Sequence, residues 1–584
     1  VFSVCGTMTA VTGRGGGPRC FLFAVAATAC LLLLGIGVPA GLEQRPPLSL
    51  ATELSHDLKI AAERACLIFC ADSPVLGAVQ SEAVFPSDSK VFVDLPMKAD
   101  PEEILEQFRL RQPTGDALRV FVKEYFEPLQ NSSAPDLIAI VPVDFCERPS
   151  RLQQLEQPAR DWALAINNIW KSLVRRTNIS VPERHSLLSA RHPIVVPGGR
   201  FRESYYWDSF WIIGGLLVSG MHSTARGVIS NFLDSIEIFG VVPNGGRAYY
   251  LTRSQPPLLS EMVRLYFEYT RDVSLVDRAI PLLEAEYASW MSGQSVVQIK
   301  GHTLNRYFSR ITTPRPESWR EDEATAKAAG MEVLPNVHAA AESGWDFSSR
   351  WLDNGINLTT AVTCDVVPVD LNTFMYRMAR NIAKFHSLTG NLSAASVFSN
   401  LAEKRKSAIQ SVLWNASMNQ WFDFRISRGE QRPEVAVSNF IPLWANLADS
   451  AELRGVTDAL LSSDLLQPAG LQTTVAVTGQ QWDSPNGWAP LQHMVVEGLM
   501  TTNDPYAQQV GRRIAHRWLQ TNFEAWQKTG AMYEKYDTGH MGSGGGGGEY
   551  TPQTGFGWTN GVALMLLDKF GGVPPVADSS FAMA

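Results

Sequence analysis

Nine carboxylates sit in segments rich in Trp, Tyr, Phe, Gly and Pro: Glu203, Asp208, Glu317, Glu342, Asp346, Asp483, Glu534, Asp537 and Glu549. Such acids suit cleavage of a glycosidic bond, which needs one protonated and one ionised carboxyl on opposite faces of the sugar. Asp346 follows Trp345 and precedes Phe347. An apolar neighbourhood raises a carboxyl pKa and keeps the proton on, as a general acid requires. Glu534 lies between Tyr533 and Lys535-Tyr536, where a cation holds a carboxylate ionised and suits a base. Arg200, Arg247, Arg253 and Arg315 recur in the same segments. Each one alone reads as a local ion-pair partner, but together they offer planar donor forks to a hydroxyl-rich ligand.

Other chemistries lack their motifs. There is no His-Glu-x-x-His, no Gly-x-Ser-x-Gly and no Cys-x-x-Cys, so neither a metal site nor a serine nucleophile is expected. Gly542–Gly548 holds six Gly in seven residues. A phosphate cradle requires Lys-Ser/Thr after the last Gly, and Glu549-Tyr550 stands there instead. The stretch reads as a mobile flap or a disordered surface loop, since Gly permits backbone angles other residues avoid. The formal charge is −8 with no Lys/Arg-rich block, so no nucleic-acid partner is expected.

The elements that must position these residues read as helices. Trp162, Ile166, Ile169 and Leu173 form an apolar stripe at helical spacing, as do Val276, Ile280, Leu283, Tyr287 and Met291. Leu371, Phe374, Met375, Met378, Ile382 and Phe385 form another. Asp100-Pro101-Glu102-Glu103 reads as a capped helix start. Between the stripes lie long segments at 193–211, 241–257, 311–322, 340–355, 478–492 and 530–560. Structureless loops of that size are usually functional. The chain reads as all-α, with one catalytic domain over 55–570, a short linker at 41–54 and a tail at 571–584.

Arg14 and Arg19 precede an apolar run from Cys20 to Ala40, which ends in Val38-Pro39-Ala40. This is the pattern of a secretory signal cleaved after Ala40. The run is also long enough to be an uncleaved membrane anchor. Five Asn-x-Ser/Thr sequons, at Asn131, Asn178, Asn357, Asn391 and Asn415, agree with an exported glycoprotein. Outside the leader stand Cys66, Cys70, Cys146 and Cys364. Cys66 and Cys70 are spaced for one turn of a helix, and Cys146 is expected to pair with one of them.

Pro197-Gly198-Gly199-Arg200-Phe201-Arg202-Glu203-Ser204-Tyr205-Tyr206-Trp207-Asp208-Ser209-Phe210 resembles the first signature of the family 37 trehalases. Gln481-Trp482-Asp483-Ser484-Pro485-Asn486-Gly487-Trp488-Ala489-Pro490 resembles the second. Shorter blocks agree in order: Pro243-Asn244-Gly245, Arg253-Ser254-Gln255-Pro256-Pro257, Arg315-Pro316-Glu317, Glu342 through Asp346, Glu534 through Asp537, and Glu549-Tyr550 with Gly557 through Gly561. The resemblance spans roughly residues 55–570. It implies an (α/α)6 barrel, trehalose as substrate and inversion at the anomeric carbon, with Asp346 as general acid and Glu534 as general base. It implies carboxyls about 6.5–9.5 Å apart, with a water between them. Arg200, Trp207, Asp208, Asn244, Arg253, Ser254, Gln255, Arg315, Glu317, Gly344 and Glu549 fall at its sugar-binding blocks, and no metal or organic cofactor is implied. Two departures stand out. Phe210 replaces the Tyr that ends the first signature, and Cys364 occupies a place usually taken by another small residue.

Overall fold

The apolar stripes are buried along helices. Trp162, Ile166 and Leu173 line the inner face of Ala159–Leu173. Leu283 and Tyr287 do so on Val273–Trp290, and Phe374, Met378 and Ile382 on Val369–Leu388. Burying each such side chain contributes about 1.5–3 kcal/mol. The computed structural model describes residues 49–128 and 135–572. The leader at 1–40, residues 41–48 of the linker, Asn131 and residues 573–584 of the tail lie outside the described residues. The first described helix, Ser49–Phe69, begins within the segment that composition reads as linker.

Among the described residues the helices make two concentric rings. The inner ring runs Asp208–Val218, Leu259–Thr270, Val369–Leu388, the 3-10 segment Val437–Ala445, Ala489–Met500 and Gly557–Phe570. Each inner element packs against the next, and the last returns to the first. The outer elements are Ala159–Leu173, His222–Phe239, Val273–Trp290, Leu392–Val412, Glu452–Leu461 and Pro505–Thr529. The chain alternates outer and inner, which is the (α/α)6 barrel.

An inner element is covered on both sides over most of its length and needs little polar face. Asp208–Val218 is buried at every position. Its closest neighbour is Gly557–Phe570, and the approach depends on absent side chains: a Cβ on Gly561 would lie 2.0 Å from the Trp211 carbonyl oxygen. Phe210 is buried against Trp211, Trp444 and His493. A phenyl ring without a hydroxyl fits that apolar setting.

Helices Ser49–Phe69, Pro74–Ser81, Pro101–Arg111 and Gly115–Tyr125 form a second apolar layer against Tyr205, Tyr249, Tyr250 and Trp319. Asp100 stands at the start of Pro101–Arg111 but does not cap it; its carboxylate accepts Arg184 Nε at 3.0 Å. Cys146 does not pair with either helix cysteine. Cys66 and Cys70 bond to each other, and Cys146 and Cys364 are free thiols. The end of Ser49–Phe69 brings the two helix cysteines to a Cα separation of 4.6 Å, whereas Cys146 is exposed elsewhere. No described helix is long and apolar enough to cross a membrane.

Candidate active site

The segments that lead into five of the inner elements build the site at one end of the barrel. Asn486–Trp488, just before the helix Ala489–Met500, pairs antiparallel with Lys535–Asp537. Trp488 stands opposite Lys535. Glu534 is thereby held at the edge of this ladder, and its own N–H donates to Gln553 O at 3.0 Å. On the other side, Trp482 N donates to Phe347 O at 3.0 Å, and Gln481 Nε2 donates to Asp346 O at 2.6 Å. The second signature therefore fixes the backbones of both Asp346 and Glu534.

These loops enclose about 680 Å³ of space, part of it open to solvent. Asp346 and Glu534 both line it, together with Arg200, Trp207, Asp208, Asn244, Arg253, Gln255, Arg315, Glu317, Gly344 and Glu549. Ser254 stands apart. Its hydroxyl donates to Val242 O at 2.6 Å and its N–H to Glu342 Oε1 at 3.0 Å. It shapes the loop between Arg253 and Gln255 and does not face the cavity.

Trp207, Trp482, Trp488 and Trp558 form an aromatic wall. Trp482 stacks on Trp488 with ring centroids 4.0 Å apart, and Trp345 stacks behind Trp482 at 5.6 Å. Gly344 adopts φ +75°, and a Cβ there would come within 2.8 Å of the Trp207 indole. Both the backbone angle and the indole exclude a larger residue.

Asp346 and Glu534 differ in surroundings. Burial pushes the Asp346 carboxyl up from 3.8 to about 6, with Arg315 and Arg253 opposing the rise. No cation forms an ion pair with it among the described residues. Burial also raises Glu534, against the pull of Lys535 and two hydrogen bonds. Tyr550 Oη donates to Glu534 Oε1 at 2.7 Å, and Gln553 N to Oε2 at 3.0 Å. Both donors favour the ionised form. Lys535 favours the ionised Glu534 by its charge, as their adjacency leads one to expect, but it forms no ion pair with it. Neighbours along a strand point to opposite sides, and Lys535 Nζ donates to Gln481 Oε1 at 2.7 Å and Gly547 O at 3.2 Å. Burial pulls that ammonium down to about 8.

Three arginines face the same space, each held by an acid. Arg200 donates twice to Asp88, at 2.7 and 2.9 Å. Arg253 Nη2 donates to Glu317 Oε1 at 2.5 Å, and its Nε to Asn244 Oδ1 at 3.0 Å. Arg315 grips Asp322 through Nε and Nη2 and reaches Glu549 at 3.1 Å. Arg253 Nη1 and Glu317 Oε2 are buried without a partner among the described residues. A donor and an acceptor left open in one cavity match the hydroxyls of a neutral sugar. Burial raises Asp208 and Glu549, and Asp346 adds to both shifts.

The remaining sequence-selected residues serve the scaffold. Arg247 Nε bonds Glu203 at 2.8 Å, and Lys90 stands at 2.9 Å from the same carboxylate. Asp483 accepts Ser348, Ser349, Thr474 and Thr478, and so fixes the turn after Asp346. Glu342 accepts Ser254 N, and Asp537 accepts Gly539 N at 2.9 Å. Sequence reasoning gave no role to Tyr550, Gln481 or Gln553, although the first two stand inside quoted motifs. The glycine stretch is tied down: Asn486 accepts Gly546 N at 3.0 Å and donates to Gly546 O at 2.8 Å.

No group of three or more potential metal ligands occurs among the described residues. The family model described as Trehalase matches residues 85–571. The chain is 43% identical over 540 residues to a probable trehalase of Oryza sativa, covering 85% of this chain and 95% of that protein. It is 39% identical over 567 residues to a trehalase of Homo sapiens, covering 93% of each. Its fold resembles that of a neutral trehalase of Saccharomyces cerevisiae, with TM-score 0.55 and 25% identity over 65% of this chain and 74% of that one.

Proposed function

The chain belongs to the trehalase family and is a glycosidase that hydrolyses trehalose; from that premise we propose that it acts by inversion, with Asp346 as general acid and Glu534 as general base. The observation that carries the division of roles is the contrast between the two carboxyls. Asp346 is buried without a paired cation and keeps its proton up to about pH 6. Glu534 accepts two hydrogen bonds that favour its charged form. In the reaction, Asp346 protonates the glycosidic oxygen as the bond to the anomeric carbon breaks. Glu534 takes a proton from water as that water attacks the opposite face, giving one β-glucose and one α-glucose. Arg200, Arg253, Arg315, Glu317 and Glu549 orient the hydroxyls, and the Trp wall supplies apolar contact. NMR of the freshly formed anomers tests the stereochemistry. Equal α and β signals in the first spectra support inversion, and α-glucose alone refutes it.

We also propose that the chain is exported. Asn178, Asn357 and Asn391 are exposed and Asn415 is half-buried, which fits carbohydrate at the first three. Endoglycosidase treatment of secreted protein should lower its apparent mass, and secretion without such a change would argue against glycosylation.

A further inference from the structure

Two groups hold Glu534, and both lead back to Arg200. Tyr550 donates its hydroxyl to Glu534, and the Arg200 guanidinium lies over the Tyr550 ring, 4.7 Å from its centroid. Gln553 donates its N–H to Glu534, and its side-chain oxygen accepts Arg200 N at 2.9 Å. Arg200 is in turn gripped by a residue outside the barrel. Asp88 lies between the helices Pro74–Ser81 and Lys90–Val93 of the N-terminal layer. Its Oδ2 accepts Arg200 Nε at 2.9 Å and its Oδ1 accepts Nη2 at 2.7 Å. Such fork-to-fork pairs fix direction as well as distance. Asp88 also lines a vestibule of about 1130 Å³, open to solvent, which shares Arg200, Glu317, Ser318, Glu549 and Tyr550 with the catalytic pocket.

We infer that Asp88 is a positioning residue for the reaction: it pins the Arg200 guanidinium against Tyr550 and so sets the place and charge state of the base. The inference rests on Glu534 as that base. Freed from Asp88, Arg200 has Glu317, Glu321 and Glu549 as alternative partners in the same vestibule. Moving toward them takes it off the Tyr550 ring and withdraws positive charge from Glu534. The other charged or titratable groups that face Glu534 are Tyr550, Lys535, Asp346 and Asp208, and all remain in an Asp88 variant. Loss of the Asp88 charge by itself would lower the Glu534 pKa, whereas loss of the anchored Arg200 raises it. The sign of the change therefore separates positioning from simple charge removal.

The test is the pH profile of kcat/KM on trehalose for the full chain carrying Asp88→Asn or Asp88→Glu, with thermal melting recorded for each. Asp88→Asn should lower kcat/KM by about 10–100-fold and move the acidic limb up by about half a pH unit. Asp88→Glu should recover part of the loss, and it carries the test if the Asn variant melts early. Arg64→Ala breaks two ion pairs in the same N-terminal layer, to Glu102 and Glu183, and should leave both readings unchanged. Unaltered kcat/KM, or an acidic limb that stays in place or moves down, overturns the inference. Glu534→Gln run alongside isolates the premise, because residual full activity there removes the base assignment whatever Asp88 does.

Discussion

Glu203 and Asp208 stand five positions apart in one signature, and both are buried. Glu203 lies between Lys90 and Arg247 and accepts the Tyr205 hydroxyl at 2.5 Å. Burial opposes its charge, but the two cations win and hold it down to about 2. Asp208 has no paired cation among the described residues, and burial and the nearby Glu534 and Asp346 push it up. The same division separates Asp346 from Glu261, which Arg377 and Arg264 pin in the ionised form. In both comparisons the acid flanked by two cations is held ionised, and the acid buried without an ion pair among the described residues binds its proton more tightly.

The largest expected effects lie on the unpaired side. Asp346→Asn and Glu534→Gln should each lower kcat by about 10³–10⁴-fold, or ~4–5.5 kcal/mol of barrier, while the melting temperature holds or rises. Removing an ionisable group that burial penalises does not weaken the fold. Activity within tenfold of the parent in either variant would remove that residue from the mechanism. A parallel fall in melting temperature would place it with Glu203 instead.

Glu203→Gln tests the paired side. It leaves Lys90 and Arg247 with one carboxylate fewer in a buried cluster, where breaking such a pair costs about 3–4 kcal/mol. Melting and denaturant titration should register the loss, and kcat per folded molecule should change far less than in the pocket variants. Unchanged stability would mean that Asp94, 2.8 Å from Lys90 and 3.1 Å from Arg247, carries the pairing alone.

Sequence reasoning reached the motif residues and the helices that carry one apolar stripe, the outer ones and the inner Val369–Leu388 alike, for reasons visible in particular places. Trp162, Ile166 and Leu173 betray a helix because only one of its faces is covered. Asp208–Val218 is covered on all faces, so no stripe forms, and its start was hidden in a segment that reads as loop. Asp346 and Glu534 were legible as acids among aromatics. Adjacency held for the charge of Lys535, which favours the ionised Glu534 although its ammonium bonds Gln481, and misled for Ser254, which turns away from the cavity between two residues that face it. The pairing of Cys66 with Cys70 agrees with their spacing of one helical turn, and Cys146 is a free, exposed thiol. Asp88 carried no signal at all, since its importance lies in a partner more than a hundred residues away.

The smallest effect separates the two classes of acid by pH. For Asp346, the folded pKa of about 6 exceeds the ordinary 3.8. The folded state then binds the proton more tightly, so stability declines as pH rises through that window. Asp208, Glu534 and Glu549 act in the same direction. For Glu203, the folded value of about 2 lies below 4.5. Its contribution is complete above pH 4.5 and is lost as pH falls toward 2. Melting temperature should therefore peak where these windows overlap, at about pH 4, and Asp346→Asn should flatten the decline above it by at most about 3 kcal/mol. The kcat/KM profile of the parent enzyme should fall above about pH 6, where free enzyme loses the Asp346 proton. If that alkaline limb coincided with a loss of folded protein, the fall would report stability. If activity fell while the melting temperature barely moved, the lost proton would be the one the reaction uses.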